Sequence, residues 1–111
     1  MGNISRNGCV IGVKPGMLER YIYLHDHCSD EIRELLRESN CIRCDIFASE
    51  IEGKTYLFQY VEKDESQAVD LSKSEVYSEW ARVTSECQQP LPGEVLWQTL
   101  RRVFTLDTAQ T

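Results

Sequence analysis

The sequence predicts an α+β domain of the ferredoxin-like, split βαβ type, with elements in the order β-α-β-β-α-β. Three observations lead there. The 111 residues are 41% hydrophobic and 27% charged, which fits one globular domain able to fold without disulfides or metal. Two stretches of helical period are interleaved with four of strand character. In the third of those strands, Tyr56, Phe58 and Tyr60 project from one side while Leu57 and Val61 project from the other, so both faces need cover. Helices cover one face. A homodimer packed sheet against sheet, a dimeric α/β barrel-type assembly, would cover the second.

Each element has its own signature. Gly8 to Lys14 is short, apolar and β-branched, and Pro15-Gly16 stops it, so it reads as a buried strand. Met17, Leu18, Tyr21, Leu24, Cys28, Ile32, Leu35 and Leu36 then recur at steps of mostly three or four, a helical period. Ser29 followed by Asp30 and Glu31 looks like a fresh N-cap, so this helix breaks near His27, restarts, and ends around Ser39-Asn40. Ile42 to Ala48 and Thr55 to Val61 form the next two strands, joined at Glu52-Gly53 by a loop longer than the tightest hairpin. Ser72-x-x-Glu75 is a capping-box pattern opening a helix with an apolar line of Val76, Trp80, Val83 and Cys87. Pro90, Pro92 and Gly93 break it, and Leu100 to Leu106 is the last strand. Residues 8–107 thus make one domain, with flexible ends at 1–7 and 108–111.

Lys and Arg number 12 against 18 Asp and Glu, a net charge of −6, which argues against nucleic-acid or anionic-membrane partners. No apolar run approaches the roughly 18 residues of a membrane span. Met1 to Asn7 is polar and lacks the apolar core of a secretory signal, so the expected compartment is the cytoplasm. Five cysteines (Cys9, Cys28, Cys41, Cys44 and Cys87) form an odd set without a disulfide framework and read as free thiols. His25, His27, Cys28, Cys41 and Cys44 include enough donors for zinc. Three-residue spacing within a strand sends Cys41 and Cys44 to opposite faces, however, and two histidines two apart on a helix diverge by about 200°. The expectation is no metal and no cofactor.

The residues suited to chemistry are Tyr21 and His25, four apart on one helix face, a phenol beside an imidazole that exchanges protons near neutral pH. Alone, the pair reads first as an aromatic and a histidine packed on a sheet. Joined to Glu31, Ile46-Phe47, Glu62, Trp80 and Val103-Phe104-x-Leu106, it resembles the L-rhamnose mutarotase family, ungapped from Tyr21 to Trp80 and over nearly the whole chain. The resemblance implies a dimeric, cofactor-free isomerase that interconverts the α and β anomers of a deoxy sugar. It implies His25 as the proton donor, with Tyr21 and Trp80 contacting the monosaccharide. Two further substrate-binding positions carry different residues here: Glu79 stands for the first of a tryptophan pair, and Cys44 for a strand-two tyrosine. The family's Asn-Pro-x-Trp-Pro stretch is replaced by Asp26-His27-Cys28-Ser29-Asp30.

Anomer exchange explains these residue types. The C1 hydroxyl loses a proton, the ring oxygen gains one, and the open aldehyde recloses after rotation about C1–C2. Two groups of suitable pKa on opposite sides of one bond suffice. An aromatic ring such as Trp80 can cover the apolar face or 6-methyl of the sugar, although its place on the line of Val76 and Val83 leaves core and site both open. Two rivals remain: a non-catalytic sugar-binding or regulatory relative, and a different ferredoxin-like dimer of the small monooxygenase type.

Overall fold

Three long antiparallel strands organise the chain in a computed structural model that describes residues 3–66 and 70–107. β1 (Ile4–Val13) starts ahead of the expected boundary, because Ile4 to Asn7 continue the ladder opposite Asp64 to Val61. Residues 1–2 and 108–111, where flexible ends were expected, lie outside the described residues.

Pro15-Gly16 turns the chain, with Gly16 at φ 77°, into α1 (Leu18–Asp26). The break expected near His27 is present. Ser29 Oγ accepts the Ile32 amide at 3.2 Å and opens α2 (Asp30–Glu38). Asn40, at φ 65°, turns the chain into β2 (Cys41–Ile51).

β2 and β3 (Lys54–Asp64) run longer than the periodicity indicated and leave only Glu52 and Gly53 between them. Both residues have positive φ, 53° and 80°, as a two-residue type I′ turn requires, so the loop is the tight form after all. Near its start β2 carries a bulge. Cys41 sits opposite Lys63 and Arg43 opposite Glu62, so Ile42 is the extra residue. That residue resets the alternation. Cys41 and Cys44 therefore share one face, the face of Val61 and Lys63, rather than pointing apart as an unbulged strand dictates.

The expected capping box does not form. The Asp70 carboxylate takes both the amide and the hydroxyl of Ser72, at 3.0 and 2.6 Å, and winds Leu71–Lys73 into a 3-10 turn. Ser74 caps α3 (Glu75–Ser85) instead, accepting the Tyr77 amide at 3.1 Å.

The sheet order is β2-β3-β1-β4, with β4 (Gln88–Gln89) and β5 (Gln98–Thr99) pairing with β1. At Gly12 the approach of β4 is so close that a Cβ would lie 2.6 Å from the Gln89 carbonyl oxygen. The strand expected over Leu100 to Leu106 is replaced by β5 and an irregular run along the β1 edge. Leu100 N–H still donates to Gly8 O at 2.8 Å, but the Arg102 guanidinium, not a backbone amide, takes the Arg6 carbonyl. At Arg6 the edge carbonyl is thus met by a side chain in place of the next ladder bond.

All three helices pack on one face, as the α+β expectation requires. The core lies there: Ile11, Val13, Tyr21, Leu57 and Cys87, flanked by Met17, Leu18, Leu24, Ile46 and Trp97. Burying side chains such as Ile11 and Leu57 contributes about 1.5–3 kcal/mol each. On the opposite face Tyr56, Phe58 and Tyr60 are half-buried and Phe47 is 63% exposed. Among the described residues no helix is long and apolar enough to cross a membrane.

Candidate active site

Between the helix layer and the sheet lies a cleft of about 840 Å³, within the range typical of small-molecule sites. Three helical positions at steps of three and four, Tyr77, Trp80 and Thr84, turn one face of α3 into its wall. The apolar line read from the sequence is thus rotated: Val76 is 40% exposed, and Trp80 belongs to the cleft as well as to the packing. Opposite, α1 contributes Leu18, Tyr21 and His25. Cys44, Ile46 and Gln59 line the sheet side, and Gln88 and Trp97 come from the chain after α3.

Tyr21 and His25 meet here with ring centroids 4.2 Å apart and planes tilted by 34°. The imidazole also stands edge-on to Trp80, with centroids 5.1 Å apart at 64°. Its Nδ1 lies 2.9 Å from the Tyr21 carbonyl oxygen. A carbonyl only accepts, so Nδ1 must carry the proton and Nε2 is left with its lone pair. Helix geometry thereby sets the tautomer of the neutral ring. His27 repeats the pattern on the outside, stacked on Tyr23 and bonded to the Tyr23 carbonyl, away from the cleft.

Tyr21 is only 4% exposed, and burial pushes its hydroxyl up to about 12. The side chain of Gln88, a hydrogen-bonding neighbour, works the other way, and the thiols of Cys44, Cys87 and Cys9 are near enough to oppose ionisation. A phenol in this state is a donor at neutral pH. Cys44 faces the open cleft, and its surroundings push the thiol up to about 11; desolvation leads, and Cys41 and Asp45 add to it. It stays a neutral thiol there, a small polarisable wall rather than a nucleophile.

Glu79 is not brought to the cleft. It lies on the outer face of α3, where its carboxylate pairs with Arg82 at 2.6 and 3.0 Å and borders a shallow groove with Lys73 and Ser78. Helical geometry is the cause: positions 77, 80 and 84 face inward, and 79 falls roughly 100–160° away from each of them. Of the sequence candidates, His25, Tyr21, Trp80 and Cys44 converge, and Glu79 does not. Gln59, Gln88 and Trp97 went unnoticed because strand and loop positions distant in sequence carry no local period. Tyr77 was legible, three residues before Trp80 and seven before Thr84. Among the described residues no group of three or more His, Cys, Asp or Glu side chains assembles as metal ligands.

Residues 6–106 match a protein-family model described as L-rhamnose mutarotase. Among solved structures, an L-rhamnose mutarotase from Formosa agariphila superposes with a TM-score of 0.72 at 22% identity, over 93% of this chain and 99% of that one. A Bordetella bronchiseptica protein described as an antibiotic biosynthesis monooxygenase superposes with a TM-score of 0.56 at 22% identity, over 94% of this chain and 100% of that one. Both likenesses concern the fold. No curated protein matches the chain.

Proposed function

The chain belongs to the L-rhamnose mutarotase family and is a sugar mutarotase, an isomerase; on that premise we propose that His25 and Tyr21 carry out anomer exchange on L-rhamnose or a related deoxy sugar. The observation that carries the assignment is the bond from His25 Nδ1 to the Tyr21 carbonyl, which leaves the lone pair on Nε2 of a cleft-lining ring available as a base. In ring opening Nε2 takes the C1 hydroxyl proton, the C1–O1 double bond forms, and the C1–ring-oxygen bond breaks. The Tyr21 hydroxyl, kept protonated by burial, supplies its proton to the departing ring oxygen. Ring closure runs these transfers backward, so the imidazolium is then the donor, the role the family resemblance implies for His25. Trp80, held edge-on against the imidazole, covers the apolar side of the sugar, and Cys44 leaves room where the family has a tyrosine. Glu79 has no part in this reading. No step calls for a metal or a cofactor.

The family match favours this reading over a non-catalytic sugar-binding relative. The protein acts as a homodimer on a free cytoplasmic sugar. Phe47, 63% exposed beside Tyr56, Phe58 and Tyr60, supports a second copy on the sheet's open face, and a net charge of −6 suits a small neutral substrate better than an anionic one. Saturation transfer between the H1 signals of the two anomers tests the chemistry. His25→Ala is expected to slow exchange by roughly 10²–10⁴-fold with the fold intact. A folded variant that exchanges at the parent rate overturns the assignment.

A further inference from the structure

Gln59 occupies a position in β3 where packing alone calls for an apolar residue. The strand's inward row runs Leu57, Gln59, Val61, and its cross-strand neighbours at Gln59 are Ile46 on one side and Cys9 on the other. Leu57 is 2% exposed and sits in the core, whereas Gln59 is half-buried and lines the cleft. Its amide nitrogen donates to Cys9 Sγ at 3.6 Å. A thiol is a weak acceptor, and an amide offers two N–H donors and two carbonyl lone pairs, so this contact leaves most of its hydrogen-bonding capacity unused. Aliphatic packing does not explain the choice of an amide at this cleft-lining position.

We propose that Gln59 is a specificity-determining residue whose side-chain amide binds a non-anomeric hydroxyl of the sugar. The proposal rests on the mutarotase reading above and adds to it the polar contact that reads the substrate's hydroxyl pattern. Trp80 and Trp97 supply rings for the C–H faces of a sugar, and Gln59 is the planar amide between strands that can accept from one hydroxyl and donate to it or to its neighbour. Gln59 and Tyr21 line the same cleft, so the amide and the catalytic phenol can address one ligand. A sugar hydroxyl, a stronger acceptor than sulfur, replaces the N–H···S contact without moving the strand.

The test measures anomer exchange by NMR on L-rhamnose and on analogues that each lack one hydroxyl. Gln59→Met keeps the bulk and removes the amide. It is expected to raise KM for L-rhamnose on the order of tenfold, the effect falling on KM rather than on kcat. The penalty should vanish for the one analogue lacking the hydroxyl that Gln59 binds. Gln59→Ala is read in the same way should the methionine variant misfold. A KM that rises equally for every sugar marks a packing role and overturns the proposal, as does a KM that does not rise. A parent that exchanges none of the sugars removes the mutarotase reading itself, and this proposal with it. A parent that exchanges them while Gln59→Met keeps its KM removes this proposal alone.

Discussion

His25 illustrates how little separates a packing residue from a reactive one. The same i to i−4 side-chain bond occurs at His27, where the ring ends up outside, stacked on Tyr23. What distinguishes His25 is the company of Tyr21 and Trp80 in the cleft, and only the first of those contacts is written into local spacing. Tyr21 yields a prediction with a definite sign. Its folded value of about 12 lies above the ordinary 10.0, so the fold favours the neutral phenol. That contribution to stability is complete below pH 10 and is lost as pH rises from there to about 12. Tyr21→Phe cannot ionise. In denaturant unfolding its stability is expected to fall less than the parent's over this window, and parallel losses would sink the claim.

At the scale of elements, two serines two residues apart compete for one helix start. The sequence pattern favours Ser72, with Glu75 three residues on, yet Asp70 captures Ser72 first and leaves the cap to Ser74. Thermal or denaturant unfolding separates them. Ser74→Ala is expected to cost about 1 kcal/mol, the usual worth of an N-cap, and Ser72→Ala only a few tenths. The reverse order would restore the capping box. The bulge at Ile42 makes a similar point for strands. Nothing in Cys41-Ile42-Arg43-Cys44 announces it, because a bulge is decided by the register of the partner strand, here Glu62 and Lys63. Once formed, it turns Cys41 to the inner side with Cys44, where it opposes ionisation of the Cys44 thiol.

For the whole molecule the decisive feature is the sheet face that no helix covers. Phe47 on that face is 63% exposed, and in the irregular run after β5 Val103 is 84%, Phe104 78% and Leu106 73% exposed, a large amount of apolar surface for 111 residues. The expected outcome of sedimentation at micromolar concentration is a species of twice 12.8 kDa. Phe47→Asp should shift it toward the monomer by placing a charge in the contact. A single 12.8 kDa species of the parent across that range would remove the dimer.

The sequence by itself determined the order of elements as far as α3, the helix break before Ser29, the fold class, and the pairing of Tyr21 with His25. All of these are encoded by periodicities and caps that span fewer than ten residues. Tertiary structure alone decided that Glu79 faces Arg82 outside the cleft, that Gln59 and Trp97 join the site, and that Leu100 to Leu106 is not a strand. The physical reason is common to the three. Each depends on which distant backbone or side chain arrives opposite: the rotation of α3 over the sheet, the inward row of β3 beneath it, and the Arg102 guanidinium at the Arg6 carbonyl. Local sequence carries the period of an element, while the phase and the partner of that period are set only by packing.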